Sequence, residues 1–163
     1  RETIASALEA SETGHLVMST LHAIDAAKTV ERIVGVFPLN EQTGIRTRLA
    51  KAFQYVISQR LLPRADGQGR VAALEILKAT LRTRDYVEQG ESNGKTLLDA
   101  MKAGSEDGMQ HFDGEMERLL REGVITMETA LSYCTNQNNM RLAVSDLIEE
   151  RRQSERASMA VAR

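Results

Sequence analysis

The sequence has few of the residues that stabilise proteins through cross-links or large aromatic clusters. Its 163 residues include one cysteine, Cys134, no tryptophan, and only 4% aromatic residues. A single cysteine excludes an intrachain disulfide and a metal site built from cysteines. Because aromatic side chains are scarce, we expect a core of aliphatic residues, with the seven methionines filling irregular gaps or interfaces.

Long apolar runs and strong charge of one sign are also missing. No stretch approaches the roughly 18 apolar residues of a membrane-spanning helix, and the chain does not open with a signal peptide. The net charge of −2 gives no excess of positive charge of the kind that binds the phosphates of nucleic acid. A hydrophobic content of 42% with 27% charged residues is typical of a soluble globular protein. With neither a membrane-spanning run nor a signal peptide, we expect a cytoplasmic protein. The first residue is Arg1 rather than Met, which predicts a fragment or a processed product.

The stretch from residue 13 to residue 22 contains an apolar run between two histidines, His15 and His22. Such an uncharged run predicts a short strand, over residues 15–21, buried on both faces of an α/β sheet. Chemistry in such sheets lies at the carboxyl ends of the strands, which points to Thr20 and His22. Seven residues span roughly 23 Å of strand or roughly 10 Å of helix, so the two histidines cannot bind one metal ion together.

Hydrophobic periodicity predicts helices around this strand and a hairpin later in the chain. We expect helices over residues 2–11, 25–37 and 40–60, a hairpin over residues 61–78 with its turn at residues 66–69, and a helix over residues 80–89. Beyond residue 90 the pattern predicts short helices, one of them starting at Ser105. The tail after about residue 150 has no apolar stripe and is expected to fray.

Residues 90–96 (GESNGKT) look like a phosphate-binding loop but have the wrong spacing. That motif needs four residues between its first glycine and the Gly-Lys pair, and here there are three. The segment also follows a predicted helix rather than a strand. It therefore predicts the end of one helix and the start of the next, and no other stretch of the chain fits a phosphate-binding loop.

Several residues allow both a chemical and a structural interpretation. His22 could donate to phosphate oxygens and report their loss, or be a satisfied structural histidine. Glu2 fits a carboxylate in the first turn of a helix, favoured there by the macrodipole. Arg46 and Arg48 diverge by roughly 200° on a helix, so they cannot face the same partner. A solvated helix face is the simpler explanation for the two arginines.

Several motifs in order resemble the secretion-type ATPases that drive type IV pili and type II secretion. The histidine box matches at residues 12–17 (ETGHLV) and 20–22 (TLH), and flanking matches lie at residues 2–4 (ETI), 29–33 (TVERI) and 36–38 (VFP). Residues 44–50 (GIRTRLA) are similar to the Ala-Ile-Arg-Ser-Arg-type motif of the pilus retraction, or twitching-motility, ATPases. Gly44 and Thr47 depart from its commonest residues.

This resemblance implies an α/β fold, the C-terminal part of a RecA-like P-loop ATPase domain followed by a small helical bundle. Residues 1–89 would be the partial ATPase domain without its P-loop, residues 90–150 the helical subdomain, and residues 151–163 a flexible tail. The parent would be a hexameric motor that uses ATP and Mg²⁺ to retract pili. It would work in the cytoplasm, peripherally at the inner membrane, with the pilus machinery and without nucleic acid.

The resemblance also implies roles for individual residues. It places His22, His15 and Glu2 in catalysis, with Thr20 and His22 at the nucleotide. No metal site is expected, given the histidine spacing and the single cysteine. The family's main nucleotide cradle and its Walker B carboxylate would lie upstream of Arg1, so the fragment alone should be inactive. A retraction motif, linked to movement rather than to hydrolysis, is formed by Gly44, Ile45, Arg46, Thr47 and Arg48.

Two alternatives remain open from the sequence. The first is a pilus assembly or type II secretion ATPase, whose frequent four-cysteine zinc insertion this chain does not show. The motif around Arg46 and Arg48 favours retraction over assembly. The second is a nucleotide-free helical adaptor in which both histidines are structural.

Overall fold

A computed structural model of the protein describes residues 1–92, 94–149 and 153. The chain begins with three helices, continues through one β-hairpin, and ends in short helices. In chain order the elements are α1 (Glu2–Glu12), α2 (Ala26–Gly35), α3 (Leu39–Ala52), β1 (Tyr55–Pro63), β2 (Arg70–Lys78), α4 (Leu81–Gln89), α5 (Leu97–Ala103), a 3-10 turn (Ser105–Asp107), α6 (Phe112–Arg121), α7 (Met127–Tyr133) and α8 (Gln137–Ala143).

Packing divides the chain into two compact units, and the first contains Arg1–Gln59 and Leu74–His111. Helix α2 illustrates how the sequence produces a helix of this unit, through a capping residue at its start and one apolar face. The Asp25 carboxylate caps the helix by accepting the Lys28 N–H at 2.7 Å, which satisfies one of the donors that a helix leaves unpaired at its start. One helical face then buries Ala26, Val30 and Val34, at the spacing expected of an amphipathic helix. The rest of this core comes from Leu8, Phe37, Ile45, Leu49, Ala50, Phe53, Leu77, Val87, Leu97, Met101 and Met109.

The second unit contains Arg60–Ala73 and the described part of Phe112–Arg163. Side-chain caps start two of its short helices, Thr126 on α7 and Asn136 on α8. The Arg60 guanidinium lies 3.9 Å from the centre of the Phe112 ring and donates to the Tyr133 carbonyl at 3.0 Å. Its core is aliphatic and methionine-rich, as the composition predicted, and comprises Leu62, Ala73, Phe112, Met116, Leu119, Ile125, Ala130, Met140 and Val144.

Strands β1 and β2 pair as an antiparallel hairpin. The Ala79 N–H donates to the Gln54 carbonyl at 2.8 Å at the open end, and the Arg64 N–H to the Gly69 carbonyl at 3.4 Å at the turn. In this register Ser58 lies directly opposite Glu75. Because side chains alternate across a strand, the inward face carries Val56, Ser58, Arg60 and Leu62 on β1 and Val71, Ala73, Glu75 and Leu77 on β2.

The predicted buried strand over residues 15–21 is wrong. Those residues have no regular secondary structure and are exposed, with Leu16 at 86% and Met18 at 88% of full exposure. A strand buried on both faces needs hydrogen-bonded neighbours on both sides. In the described ranges, β1 and β2 pair with each other, and neither strand pairs with residues 15–21.

Two predicted helix boundaries are also wrong. The helix expected over residues 40–60 begins at Leu39 and ends at Ala52, because the chain becomes extended at Phe53 and a period of two takes over from Tyr55. The helix expected from Ser105 is a 3-10 turn, ended by the left-handed Gly108 (φ 80°). Helix α6 then starts separately at Phe112.

Other predicted elements are confirmed. Residues 90–96 end one helix and begin the next: Gly90 follows α4 with φ 85°, Ser92 bridges to Lys95, and the Thr96 hydroxyl caps α5. The two packing units do not meet between residues 89 and 90. The domain boundary predicted at that point stays a prediction. The predicted tail lies outside the described residues except for Gln153. No helix in the described ranges is long and apolar enough to cross a membrane.

The hairpin's contribution to the first core is testable at Leu77. Its side chain is fully buried, so we expect Leu77→Ala to lower the free energy of unfolding by about 2–5 kcal/mol, through lost burial and a residual cavity. Leu81→Ala makes the same change at a side chain that is 91% exposed and should cost less than about 0.5 kcal/mol. Urea unfolding followed by circular dichroism measures both, and equal costs would contradict the burial of Leu77 in the first core.

Candidate functional site

The histidine-bearing segment, residues 13–25, connects α1 to α2. At its start the chain leaves α1 through Thr13 and turns at Gly14, which has φ 93°. The His15 Nδ1 atom lies 3.2 Å from the Ala10 carbonyl oxygen and 3.2 Å from the Thr13 hydroxyl oxygen. In the neutral tautomer that donates from Nδ1, Nε2 is the acceptor. His15 is therefore oriented by the end of α1.

At the other end of the segment, contacts to α2 hold the backbone of His22. The Arg32 guanidinium donates to the His22 carbonyl at 2.7 Å. The first residue of α2, Ala26, donates its N–H at 2.8 Å to the carboxylate of Glu75, which is only 4% exposed. The segment is thus anchored at both ends, while residues 16–21 between the anchors, including Thr20, are exposed.

The exposed His22 contributes to an open cleft of about 420 Å³ on the surface of the first unit. Two cationic side chains and one carboxylate accompany it. Lys28 pairs with Glu31 at 2.7 Å, and this hydrogen bond raises the pKa of the Lys28 ammonium. The cleft is lined by His22, Ala23, Ile24, Lys28, Glu31 and Arg32.

Glu2 occupies the first turn of α1 and is exposed. This is the position where a helix macrodipole favours a carboxylate. Within the described part of the chain, no hydrogen bond or ion pair joins Glu2 to either histidine. The structure therefore does not bring together all three residues predicted for catalysis.

The retraction motif lies on α3 and reaches two other helices. Ile45 is buried in the first core. The Arg46 Nη1 donates to the Val87 carbonyl, near the end of α4, at 3.2 Å. Arg48 forms a two-pronged ion pair with Glu12 at the end of α1, at 2.6 and 2.9 Å. The two arginines diverge as helix geometry predicts, but their partners are neighbouring helices rather than solvent alone.

The two small residues of the motif have different surroundings. Gly44 is exposed, and a Cβ added there would meet no atom within 4 Å. Thr47 is half-buried between the two arginines in sequence. The motif therefore joins α3 to α1 and α4 through its arginines and leaves Gly44 on the surface.

Comparison with known proteins decides the family. The family model described as "Type II/IV secretion system protein" matches residues 1–161. The chain belongs to this family. A twitching motility protein of Neisseria gonorrhoeae is 42% identical over 139 residues, which cover 85% of this chain and 37% of that protein. The type IV pilus retraction ATPase PilT of Pseudomonas aeruginosa is 43% identical over 129 residues, covering 79% of this chain and 37% of that protein.

Solved structures of the family confirm the α/β ATPase fold predicted from the sequence. A crystal structure of the pilus retraction motor PilT with bound ADP matches with a TM-score of 0.69 and 38% identity, over 85% of this chain and 38% of that one. The Legionella pneumophila ATPase DotB matches with a TM-score of 0.65 and 30% identity, over 79% of this chain and 34% of that one. The predicted resemblance to pilus retraction ATPases is likewise confirmed. The chain spans about 37% of the length of its curated relatives named above.

Sequence reasoning missed two residues that hold the histidine-bearing segment. Arg32 was part of a matching motif but had no assigned contact. Glu75 could have been found from the sequence, since it is the one charged residue among the inward positions of β2. The other inward positions carry Val71, Ala73 and Leu77. A charge at an inward position of an otherwise apolar strand face indicates a specific buried partner.

Metal ligands do not cluster in the part of the chain that the structure describes: residues 1–92, 94–149 and 153 contain no group of three or more His, Cys, Asp or Glu that could hold an ion.

The ion pair between Arg48 and Glu12 is testable by titration. The Arg48 hydrogen bond lowers the pKa of the Glu12 carboxyl, because the guanidinium stabilises its charged form. We expect Arg48→Met to raise that pKa, measured by the carboxyl carbon resonance of Glu12 in an NMR titration. Arg46→Met, which removes a guanidinium bonded to α4 instead, is the control and should leave the Glu12 titration unchanged.

The sign of the pH dependence follows from the lowered pKa. The pair stabilises the fold above the unfolded-state pKa of the carboxyl, and this contribution is lost as the pH falls through the lower folded-state pKa. An Arg48→Met variant with an unaltered Glu12 titration would show that the ion pair does not form in solution.

Proposed function

We propose that the chain is the C-terminal part of a motor ATPase that couples ATP hydrolysis to the retraction of type IV pili. Relatives named as twitching motility and pilus retraction proteins support this proposal. The observation that carries it is the exposed His22 on an open cleft, with its backbone fixed by Arg32 at 2.7 Å. A catalytic group held in this way can meet a nucleotide without reorganising its own backbone.

In this proposal the exposed imidazole of His22 and the hydroxyl of Thr20 meet the phosphates of ATP, and His22 donates to the γ-phosphate. His15 orients the start of the segment. Glu2, in the first turn at the opposite end of α1, has a supporting role that does not involve contact with either histidine. Hydrolysis of ATP, with Mg²⁺ bound to its phosphates, supplies the free energy. In this proposal the phosphate cradle and the catalytic carboxylate come from a part of the longer protein outside this chain, which spans about 37% of the length of its relatives.

The retraction motif would act mechanically rather than in hydrolysis. Its arginines connect α3 to α1 and α4, so a displacement of the histidine-bearing segment at the end of α1 reaches α3 through Glu12 and Arg48. We further propose a hexameric ring at the cytoplasmic side of the inner membrane, working on the pilus machinery. Residues 1–89 would belong to its ATPase domain, residues 90–150 to a helical subdomain and residues 151–163 to a flexible tail.

The chain of 163 residues should not hydrolyse ATP by itself. Removing the phosphate cradle removes the positioning and electrostatic stabilisation that phosphoryl transfer depends on. Phosphate release by the purified chain, measured with ATP and Mg²⁺, is expected at the level of a buffer blank. Sustained turnover that copurifies with the chain would contradict the proposal that the cradle lies elsewhere.

Two substitutions in the longer protein test the division between hydrolysis and movement. We expect His22→Ala to lower ATP turnover at least about tenfold, through loss of a group at the transferring phosphate. Arg46→Ala should preserve turnover within about twofold and stop twitching motility, because it cuts the motif's contact with α4. His111→Ala, at a histidine with no role in the proposal, is the control and should change neither measurement.

Other outcomes would favour the alternatives. If the longer protein hydrolyses ATP and supports pilus extension or secretion instead of retraction, it is an assembly or secretion ATPase. If neither His22→Ala nor Arg46→Ala has an effect and no nucleotide binds, both histidines are structural, and the nucleotide-free adaptor is correct.

A further inference from the structure

The Arg32 side chain donates a hydrogen bond to a residue outside its own helix. It lies in the last turn of α2 and is exposed, yet its Nη1 donates at 2.7 Å to the carbonyl of His22, ten residues earlier. The acceptor is in a segment without regular secondary structure, where no helical or strand ladder fixes the backbone. A charge-assisted hydrogen bond to a carbonyl is short and directional. This contact therefore restricts where the backbone of His22 can lie.

The helix that carries Arg32 is itself anchored. The buried Glu75 carboxylate accepts the Ala26 N–H at the start of α2. A helix N-terminus favours a carboxylate through its unpaired N–H groups and its dipole. A series of contacts thus runs from β2 through α2 to the carbonyl of His22.

We propose that Arg32 is a positioning residue for His22. Its guanidinium holds the His22 backbone against α2, which fixes the place from which the imidazole reaches the phosphates of the bound nucleotide. The role depends on the proposed function of His22, and it assigns Arg32 to the carbonyl of His22 rather than to the nucleotide. Glu75 contributes indirectly, by holding the start of the helix.

The neighbouring cation in the cleft provides a matched control. Lys28 is on the same helix, is exposed, and lines the same cleft, but its ammonium pairs with Glu31 and does not contact His22. Arg32→Met and Lys28→Met each remove one positive charge from the cleft and keep an unbranched side chain. A general effect of charge would appear in both variants, whereas loss of positioning would appear in Arg32→Met alone.

The first readout is spectroscopic and needs no nucleotide. The carbonyl carbon resonance of His22, recorded by NMR in the chain of 163 residues, senses the hydrogen bond it accepts. We expect Arg32→Met to shift this resonance and Lys28→Met to leave it in place. Arg32→Lys keeps a charged donor and should shift it less than Arg32→Met. An unchanged resonance in Arg32→Met would overturn the proposal without bearing on the role of His22.

The second readout is turnover by the longer protein. Arg32→Met should lower kcat about tenfold with KM for ATP within about twofold, since a misplaced catalytic group lowers the rate more than it weakens binding. Arg32→Lys should restore part of the loss. Lys28→Met, which removes a charge from the same cleft but not the hydrogen bond to the His22 carbonyl, should lower kcat less than Arg32→Met does. A KM increase with unchanged kcat would show that Arg32 binds nucleotide directly, which contradicts a positioning role. If His22→Ala retains full turnover, His22 has no catalytic role. The proposed function would then be wrong, and the positioning role of Arg32 with it.

Discussion

The buried hydrogen bond between Glu75 and Ala26 is the contact on which the arrangement of the first unit depends. A carboxylate at 4% exposure is costly unless it is paired, and the start of α2 provides both an N–H donor and a favourable dipole. The bond joins the hairpin to α2. Helix α2 in turn holds the carbonyl of His22 through Arg32. The placement of the candidate site thus follows from one acidic residue on an inward strand face.

The sequence was most informative where local chemistry determines the structure. Asp25, Thr80, Thr96 and Thr126 start helices because their side chains accept N–H groups that a helix leaves unpaired. The hairpin turn and the alternation along β2 are equally local. The run between His15 and His22 was misjudged because burial of a strand depends on neighbouring strands, which the composition of the run does not reveal. The start of β1 was missed since Val56 fits both a helical and an alternating pattern.

In the candidate site, too, local features could be predicted from the sequence and tertiary contacts could not. Helix geometry alone established that Arg46 and Arg48 point in different directions, whereas their partners, Val87 and Glu12, depend on how α1 and α4 pack against α3. The role proposed for His22 came from the family resemblance. The residue that holds its carbonyl, Arg32, is ten positions away and could be identified only from the structure. The histidine box and the retraction motif are linked through α1, because Glu12 ends the helix that leads directly into His15.

The exposed stretch between the two histidines also makes the 163-residue chain accessible to proteases. Leu16 and Met18 are almost fully exposed in a backbone without regular structure. Proteases cleave segments of this kind, which are accessible and lack hydrogen-bonded secondary structure. Chaperones and other hydrophobic surfaces bind the same kind of exposed apolar side chain. The segment that carries the proposed chemistry is therefore expected to be a site of proteolytic cleavage in the 163-residue chain.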